Sequence, residues 1–212
     1  MCQRVQCIVG VNADFHHLSS HQPLGGVVSG GRMLRTPVPT HEQFSITGDG
    51  RFTAGTMTWT GILRSSDGVV VNLSAVNRTR ESDQVVLYTP AWGSATGTSG
   101  GTELVVRAAG PVGTLGQPTL VQVVSRASGK ATIPADGAVL SGSGAGAVLL
   151  DGLWNKLQRG AVDPRTELRI DASVPAAESL GGHPVILQGG RSAVPVQSDG
   201  FSEKRNPRTV LG

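Results

Sequence analysis

Gln43-Phe44-Ser45-Ile46-Thr47-Gly48-Asp49-Gly50-Arg51-Phe52-Thr53-Ala54-Gly55 alternates polar and apolar residues on either side of a Gly-Asp-Gly turn. Period-two alternation sends successive side chains to opposite faces of a strand. Two such runs joined by a glycine-flanked turn predict a β-hairpin. The pattern continues in both directions. Upstream, Val27-Val28 and Met33-Leu34 read as extended segments joined by a Gly30-Gly31-Arg32 turn, with Pro37 and Pro39 marking a loop or sheet edge. Downstream, Met57 to Leu63 extends the meander, and Ser65-Ser66-Asp67-Gly68 turns the chain into Val69-Val70-Val71. Leu73 to Arg80 reads as a loop leaving the sheet, and Val85 to Thr89 as a short buried strand stopped by Pro90.

Further along, WGSATGTSGG (92–101) is read as a loop rather than a domain boundary, because Thr102 to Arg107 follows at once as a strand with a lone acid, Glu103, near its head. Leu120 to Val124, Val139-Leu140 and Leu168 to Asp171 are predicted strands, and Gly181 to Gly190 a strand bracketed by diglycines. One helix is predicted: in Ala147 to Gly160 the residues Val148, Leu149, Leu150, Leu153, Trp154 and Leu157 recur at helical spacing, and Gly160 suits the stop. The expected fold is α+β and β-dominated, with mixed or antiparallel sheets and one helix at about 147–160, in a single domain over 1–212.

Composition agrees with that expectation. Thirty glycines and twelve prolines in 212 residues disfavour long helices. The net charge of +3 comes from cations scattered among fifteen acids, with no basic run interleaved with aromatics, so nothing points to a nucleic-acid partner. Arg78/Arg80 and Lys204-Arg205 with Arg208 come closest, and they read as ordinary solubility charge. No stretch of eighteen apolar residues predicts a membrane span. Met1 to Val11 lacks the apolar core and cleavage site of a secretory signal. The chain enters its first strand, Cys7 to Val11, almost at once and stops inside what reads as another, so both ends read as cut. Cys2 and Cys7 read as two thiols or as a small-loop disulfide.

The chemistry-bearing residues concentrate after that first strand. Asn12, Asp14, His16, His17 and His21 fall within ten residues, and Pro23-Leu24-Gly25-Gly26 then lets backbone approach a ligand. The histidine spacing matches no HExxH helix or Cys/His finger, so no metal ligand set is assigned. Asp14 and Glu103 stand at the ends of apolar strands beside glycine-rich turns, where each reads either as half of a glycosidic acid pair or as a turn carboxylate bonded to nearby amides. Arg208, aimed by Asn206-Pro207, reads as a phosphate clamp or as a surface ion-pair partner. Asn72-Leu73-Ser74 and Asn77-Arg78-Thr79 fit the glycosylation pattern.

Several of these segments, in order, resemble the phosphodiester glycosidase family. The resemblance rests on Val11-Asn12-Ala13-Asp14-Phe15, Pro23 to Gly31, Gln43 to Ile46 with Asp49-Gly50-Arg51, Gly101-Thr102-Glu103, Ile133 to Gly142, Gly182 to Leu187 and Asn206 to Gly212. Ala13 and His16 stand where the family tends to carry glycine and a second aromatic, and members continue into a DGGGS-type loop that would lie beyond Gly212. The resemblance implies the front part of a catalytic domain acting on sugar-1-phosphodiesters, without a cofactor, in a secreted or cell-envelope protein. It implies Asp14, Glu103 and Arg208 as catalytic residues, with Asn12, Gly25, Gly26, Ser29 and Thr209 around a sugar-phosphate or glycan substrate. A non-catalytic β-rich carbohydrate-binding or envelope module is the alternative. Such modules stack aromatics on sugar rings, and this chain offers only Trp59, Tyr88, Trp92 and Trp154, dispersed in sequence.

Overall fold

A computed structural model describes residues 14, 16–17, 22–160, 163, 165–182, 187–188 and 191–192. The predicted strands Cys7 to Val11 and Arg208 to Gly212 lie outside these residues, as do Asn12, His21, Arg208 and Thr209. The described chain is β-dominated α+β, with one helix and mixed as well as antiparallel pairing.

Strands β1 (Val27–Ser29) and β2 (Arg32–Arg35) form a hairpin whose turn, Gly30-Gly31, holds φ of +57° and +69°. Two consecutive positive φ values are what a tight hairpin turn needs and what residues with a Cβ resist. The opening stretch forms the predicted hairpin, β3 (Glu42–Thr47) against β4 (Phe52–Thr56). Next come β5 (Trp59–Arg64), β6 (Val70–Asn72), β7 (Ala75–Val76), β8 (Val85–Tyr88), β9 (Ser99–Ala108), β10 (Thr119–Gly129) and β11 (Gly137–Gly142). Helix α1 (Ala145–Gln158), β12 (Arg165–Ala172), β13 (Ala176–Gly182), β14 (Leu187–Gln188) and β15 (Arg191–Ser192) complete the order.

The strands build a five-stranded sheet, β2-β1-β13-β3-β4, and an eight-stranded sheet, β6-β5-β12-β10-β9-β11-β8-β7, with β14 and β15 as a separate ribbon. Among the described strands, pairing is antiparallel except between β7 and β8, and an isolated parallel bridge joins Leu115 to Ile170. Two late strands are threaded between early ones: β12 enters between β5 and β10, and β13 between β1 and β3.

The main core joins Leu63, Leu104, Val106, Val121, Leu168 and Ile170 of the larger sheet with Val28 and Met33 of the smaller one. Leu150 and Leu153 of α1 close it. Burying such aliphatic side chains stabilises by about 1.5–3 kcal/mol each. A second cluster, Ala75, Val86, Tyr88, Ala131, Ile133 and Val139, occupies the opposite face of β8 and β11. Both strands are therefore buried on both sides.

Four expectations are corrected. The meander does not continue past β4: Met57 is buried in the core and carries the chain across, so β5 joins the larger sheet. Leu73 to Arg80 is not wholly a loop, because Leu73, Ala75 and Val76 bury their side chains and β7 pairs with β8. Residues 99–101, read as loop, belong to β9, so Glu103 lies inside the strand rather than at its head. Gly181-Gly182 does not open a strand but ends β13, whose sequence AAESLGG shows no apolar alternation. The helix begins two residues earlier than predicted, and Gly160 follows it at φ +66°.

Replacing Gly31 with Ala should lower stability by about 1–2 kcal/mol, the cost of a left-handed conformation for a residue with a Cβ. Space around Gly31 is open, so a urea-denaturation midpoint reads that backbone term alone.

Candidate functional site

Asp14 is seated by glycines. The segment before β1 doubles back, with His16 paired to Pro23 and the His17 N–H donating to Gln22 O at 2.9 Å. The Gly25 N–H then donates to Asp14 Oδ2. Gly25 and Gly181 meet backbone to backbone: a Cβ on Gly25 would stand 2.8 Å from Gly181 Cα, and a Cβ on Gly181 would meet the Asp14 carboxylate. A Cβ on Gly26 would lie 2.8 Å from Pro37 Cα and 3.0 Å from Gln43 Oε1. Only three residues without side chains admit this approach.

Around that seat the core turns polar. On β3 the buried residues are Gln43 and Ser45, while Phe44 and Ile46 are half-buried. Ser45 Oγ meets Ser179 Oγ of β13 at 2.8 Å, and Ser179 Oγ donates to Gln43 Oε1 at 3.4 Å. Two cations line the same region. Arg78 is fastened by backbone carbonyls, donating from Nε to Thr36 O at 2.9 Å and from Nη2 to Leu24 O at 3.1 Å and Gly25 O at 3.3 Å. Burial pushes the Arg78 guanidinium down to about 10, the like charge of Arg35 adds to that, and Asp14 opposes it. Burial lowers Arg35 as well; its Nη1 donates to Asn77 O.

Two donors in this seam go unmet. Arg35, 6% exposed, and Gln43, 3% exposed, hold Nε and Nε2 with no acceptor among the described residues. A buried donor left unpaired costs about 1–3 kcal/mol. Unmet donors of this kind are suited to a hydrogen-bond acceptor.

Glu103 sits elsewhere. Fully buried on β9, it accepts from Thr98 Oγ1 at 2.6 Å, Ser141 Oγ at 2.6 Å, the Ala131 N–H at 2.7 Å and Thr96 Oγ1 at 3.2 Å. Arg80 Nη1 donates to Ser141 Oγ at 2.7 Å. Four donors satisfy both carboxylate oxygens, so Glu103 ties β9, β11 and the loops around 96 and 131 together. Above it opens a cleft of about 390 Å³ between Arg80, Trp92, Thr98 and Ser143. Tyr88 and Trp92 meet there at 5.1 Å between ring centroids.

Of the residues implied by the sequence, the structure brings Asp14, Gly25 and Gly26 together. Ser29 ends β1, about 13 Å along the strand direction from Gly25. Asn12, Arg208 and Thr209 lie outside the described residues. Arg35, Gln43, Ser45, Arg78, Ser179 and Gly181 were not foreseen. Reading Arg78 and Arg80 as solubility charge is overturned, since both are anchored on backbone carbonyls. Asn77 is buried and its amide is used by Leu34 O, Thr89 Oγ1 and the Thr89 N–H. That sequon is therefore not open to modification in the folded chain.

Neither a family model nor a curated protein matches this chain. Solved structures share its fold. A hypothetical protein from Synechocystis aligns with a TM-score of 0.65 and 19% identity, over 96% of this chain and 37% of its own. A protein of Burkholderia pseudomallei K96243, described as exported, aligns with a TM-score of 0.59 and 19% identity, over 86% of this chain and 43% of its own. The chain thus spans about two fifths of the length of each.

Two measurements test this reading. Glu103→Gln places an amide NH₂ against groups that all donate, and should destabilise by about 3 kcal/mol in urea denaturation with an unchanged slope. Tyr88 is the chain's one tyrosine, and burial pushes its phenol up to about 12. The unfolded phenol ionises near 10, so the folded state holds its proton longer. Stability from this group should be intact below about pH 10 and fall as pH rises toward 12. Tyrosinate absorbance should accordingly rise near pH 12 in the native protein and near pH 10 in urea.

Proposed function

We propose that this chain is part of a phosphodiester glycosidase, which cleaves the anomeric bond of a sugar-1-phosphodiester and releases the sugar and a phosphate monoester. The observation that carries the reading is the Asp14 carboxylate in its glycine cradle, with the buried cations Arg35 and Arg78 and the unmet donors Arg35 Nε and Gln43 Nε2 in the same seam. The resemblance in sequence order through Asp14, Gly25-Gly26 and Gln43 to Ile46 supports it independently.

The chemistry fits those groups. A phosphate monoester leaves as a stable anion, so the reaction asks less of a general acid than of positive charge held where the phosphate sits. Arg35 and Gln43 supply donors for the phosphoryl oxygens, in the role that the resemblance implies for Arg208. Asp14 faces the carbon side, where it stabilises the developing oxocarbenium charge or orients water. Glu103 serves the scaffold. Likeness to a protein described as exported supports action outside the cytoplasm or in the envelope, and no helix among the described residues is long and apolar enough to cross a membrane.

The test is ³¹P NMR of a nitrophenyl N-acetylglucosaminyl phosphodiester incubated with the protein. The diester signal should convert to monoester, and Asp14→Asn should cut kcat/KM by roughly 10²-fold or more with an unchanged melting temperature. Absence of monoester, or equal turnover by Asp14→Asn, would remove the assignment.

A further inference from the structure

The cleft over Glu103 has a proton inventory that defines what it can bind. Thr96 Oγ1 and Thr98 Oγ1 both bond to the Glu103 carboxylate. The two oxygens stand 3.3 Å apart, where either could donate, and Thr98 Oγ1 makes the shorter bond to Glu103, at 2.6 Å against 3.2 Å for Thr96. With its hydrogen on Glu103, Thr98 Oγ1 can only accept from anything further. Ser141 Oγ is in the same state, but its lone pair is taken by Arg80 Nη1. Thr96 is buried, whereas Thr98 is half-buried on the cleft wall. The cleft thus presents an acceptor that wants a hydrogen-bond donor from outside.

Charge narrows the choice of donor. Glu103 and Arg80 are held together through Ser141, and the exposed carboxylate of Glu81 adds a negative charge to the lining. Arg80 spends its terminal N–H groups on Ser141 Oγ and on the carbonyls of Gly142, Ser99 and Gly100. An ammonium ligand would meet that guanidinium, and an anion would meet the Glu81 carboxylate and the lone pairs of Thr98. A neutral hydroxyl meets neither objection. Trp92 forms the apolar side: it is half-buried, leans on Tyr88, and has its Nε1–H committed to Thr96 O at 3.2 Å, which fixes the ring. A fixed indole beside hydroxyl acceptors is the arrangement that takes the C–H face of a pyranose and its ring hydroxyls.

We propose that the Arg80–Trp92–Thr98 cleft is a binding site for a neutral saccharide, separate from the Asp14 seat. It stands whether or not the chain hydrolyses phosphodiesters, and phosphate-free probes separate the two readings. Glucose, mannose, N-acetylglucosamine and their β-1,4- or α-1,4-linked disaccharides would be titrated against the full chain. Saturation-transfer NMR and tryptophan fluorescence would read binding.

At least one of these sugars should bind with a millimolar or tighter Kd, and Trp92→Ala should weaken it at least tenfold. Ser82 lines the cleft and is exposed, so Ser82→Trp would fill the opening without touching the interior. It should abolish binding while leaving the melting temperature in place, a control that holds even if Trp92→Ala loosens its loop. Asp14→Asn should leave the Kd unchanged. No binding of any probe at 50 mM, binding indifferent to Ser82→Trp, or binding lost in Asp14→Asn but not in Ser82→Trp would each overturn the proposal.

Discussion

The architecture of the small sheet depends on the ladder that seats β13 between β1 and β3. Val27 faces Leu180, Val28 faces Ser179, and on the other side Ser45 faces Ser179 and Gln43 faces Gly181. Without this late strand, β1 with β2 and β3 with β4 would be two isolated hairpins, and two-stranded hairpins are marginal in water. The same ladder places Gly181 against Gly25, which makes the recess that holds Asp14. Fold and site therefore share one contact. The crossing that delivers β13 is itself bonded to the earlier crossing: Ser173 N–H donates to Thr58 O at 2.9 Å, and Thr58 N–H to Ser173 Oγ at 3.0 Å. Both passages between the sheets are thereby tied at one point, which holds the smaller sheet against the larger.

Polar residues on an inward face are costly unless they are paired, and most here are. Asn77 uses its amide oxygen and nitrogen on Leu34, Thr89 and the backbone, and Ser45 and Ser179 serve each other. Arg78 satisfies three carbonyls at once. Against this level of pairing, the unmet hydrogens of Arg35 and Gln43 are exceptions that stand together in one seam. Each of the two side chains also makes a bond, Arg35 Nη1 to Asn77 O and Gln43 Oε1 from Ser179 Oγ, so each is held in place while one of its donors stays unmet.

Legibility in the sequence followed the chemistry of burial. The β3–β4 hairpin is readable because its turn residues and its alternation agree, yet the alternation leaves the enclosed face open. Phe44 and Ile46 are the apolar members, but Gln43 and Ser45 are the ones enclosed. Period two fixes which residues share a face and does not say which face is covered. β13 was invisible because its inward positions are Ser179 and Gly181, matched to a hydroxyl and to bare backbone rather than to a hydrophobic neighbour. α1 was plain because Leu150 and Leu153 supply the usual apolar stripe. At the site, Asp14 with Gly25-Gly26 could be read because the three lie within one short segment. Arg35, Gln43, Arg78 and Gly181 come from four separate segments and meet only through the sheet pairing, which no local pattern records.

The two polar centres are not independent, because residues two apart in one loop belong to one each. Arg78 reaches back to Leu24 and Gly25 beside Asp14, while Arg80 reaches forward to Ser141 above Glu103 and to the β9 backbone at Ser99 and Gly100. Successive Cα atoms are 3.8 Å apart, so the two guanidinium stems start within about 7 Å of each other. Asn77, at φ +50°, fixes the start of this loop from within the core. The short loop after β7 is consequently the segment from which both polar centres take a guanidinium.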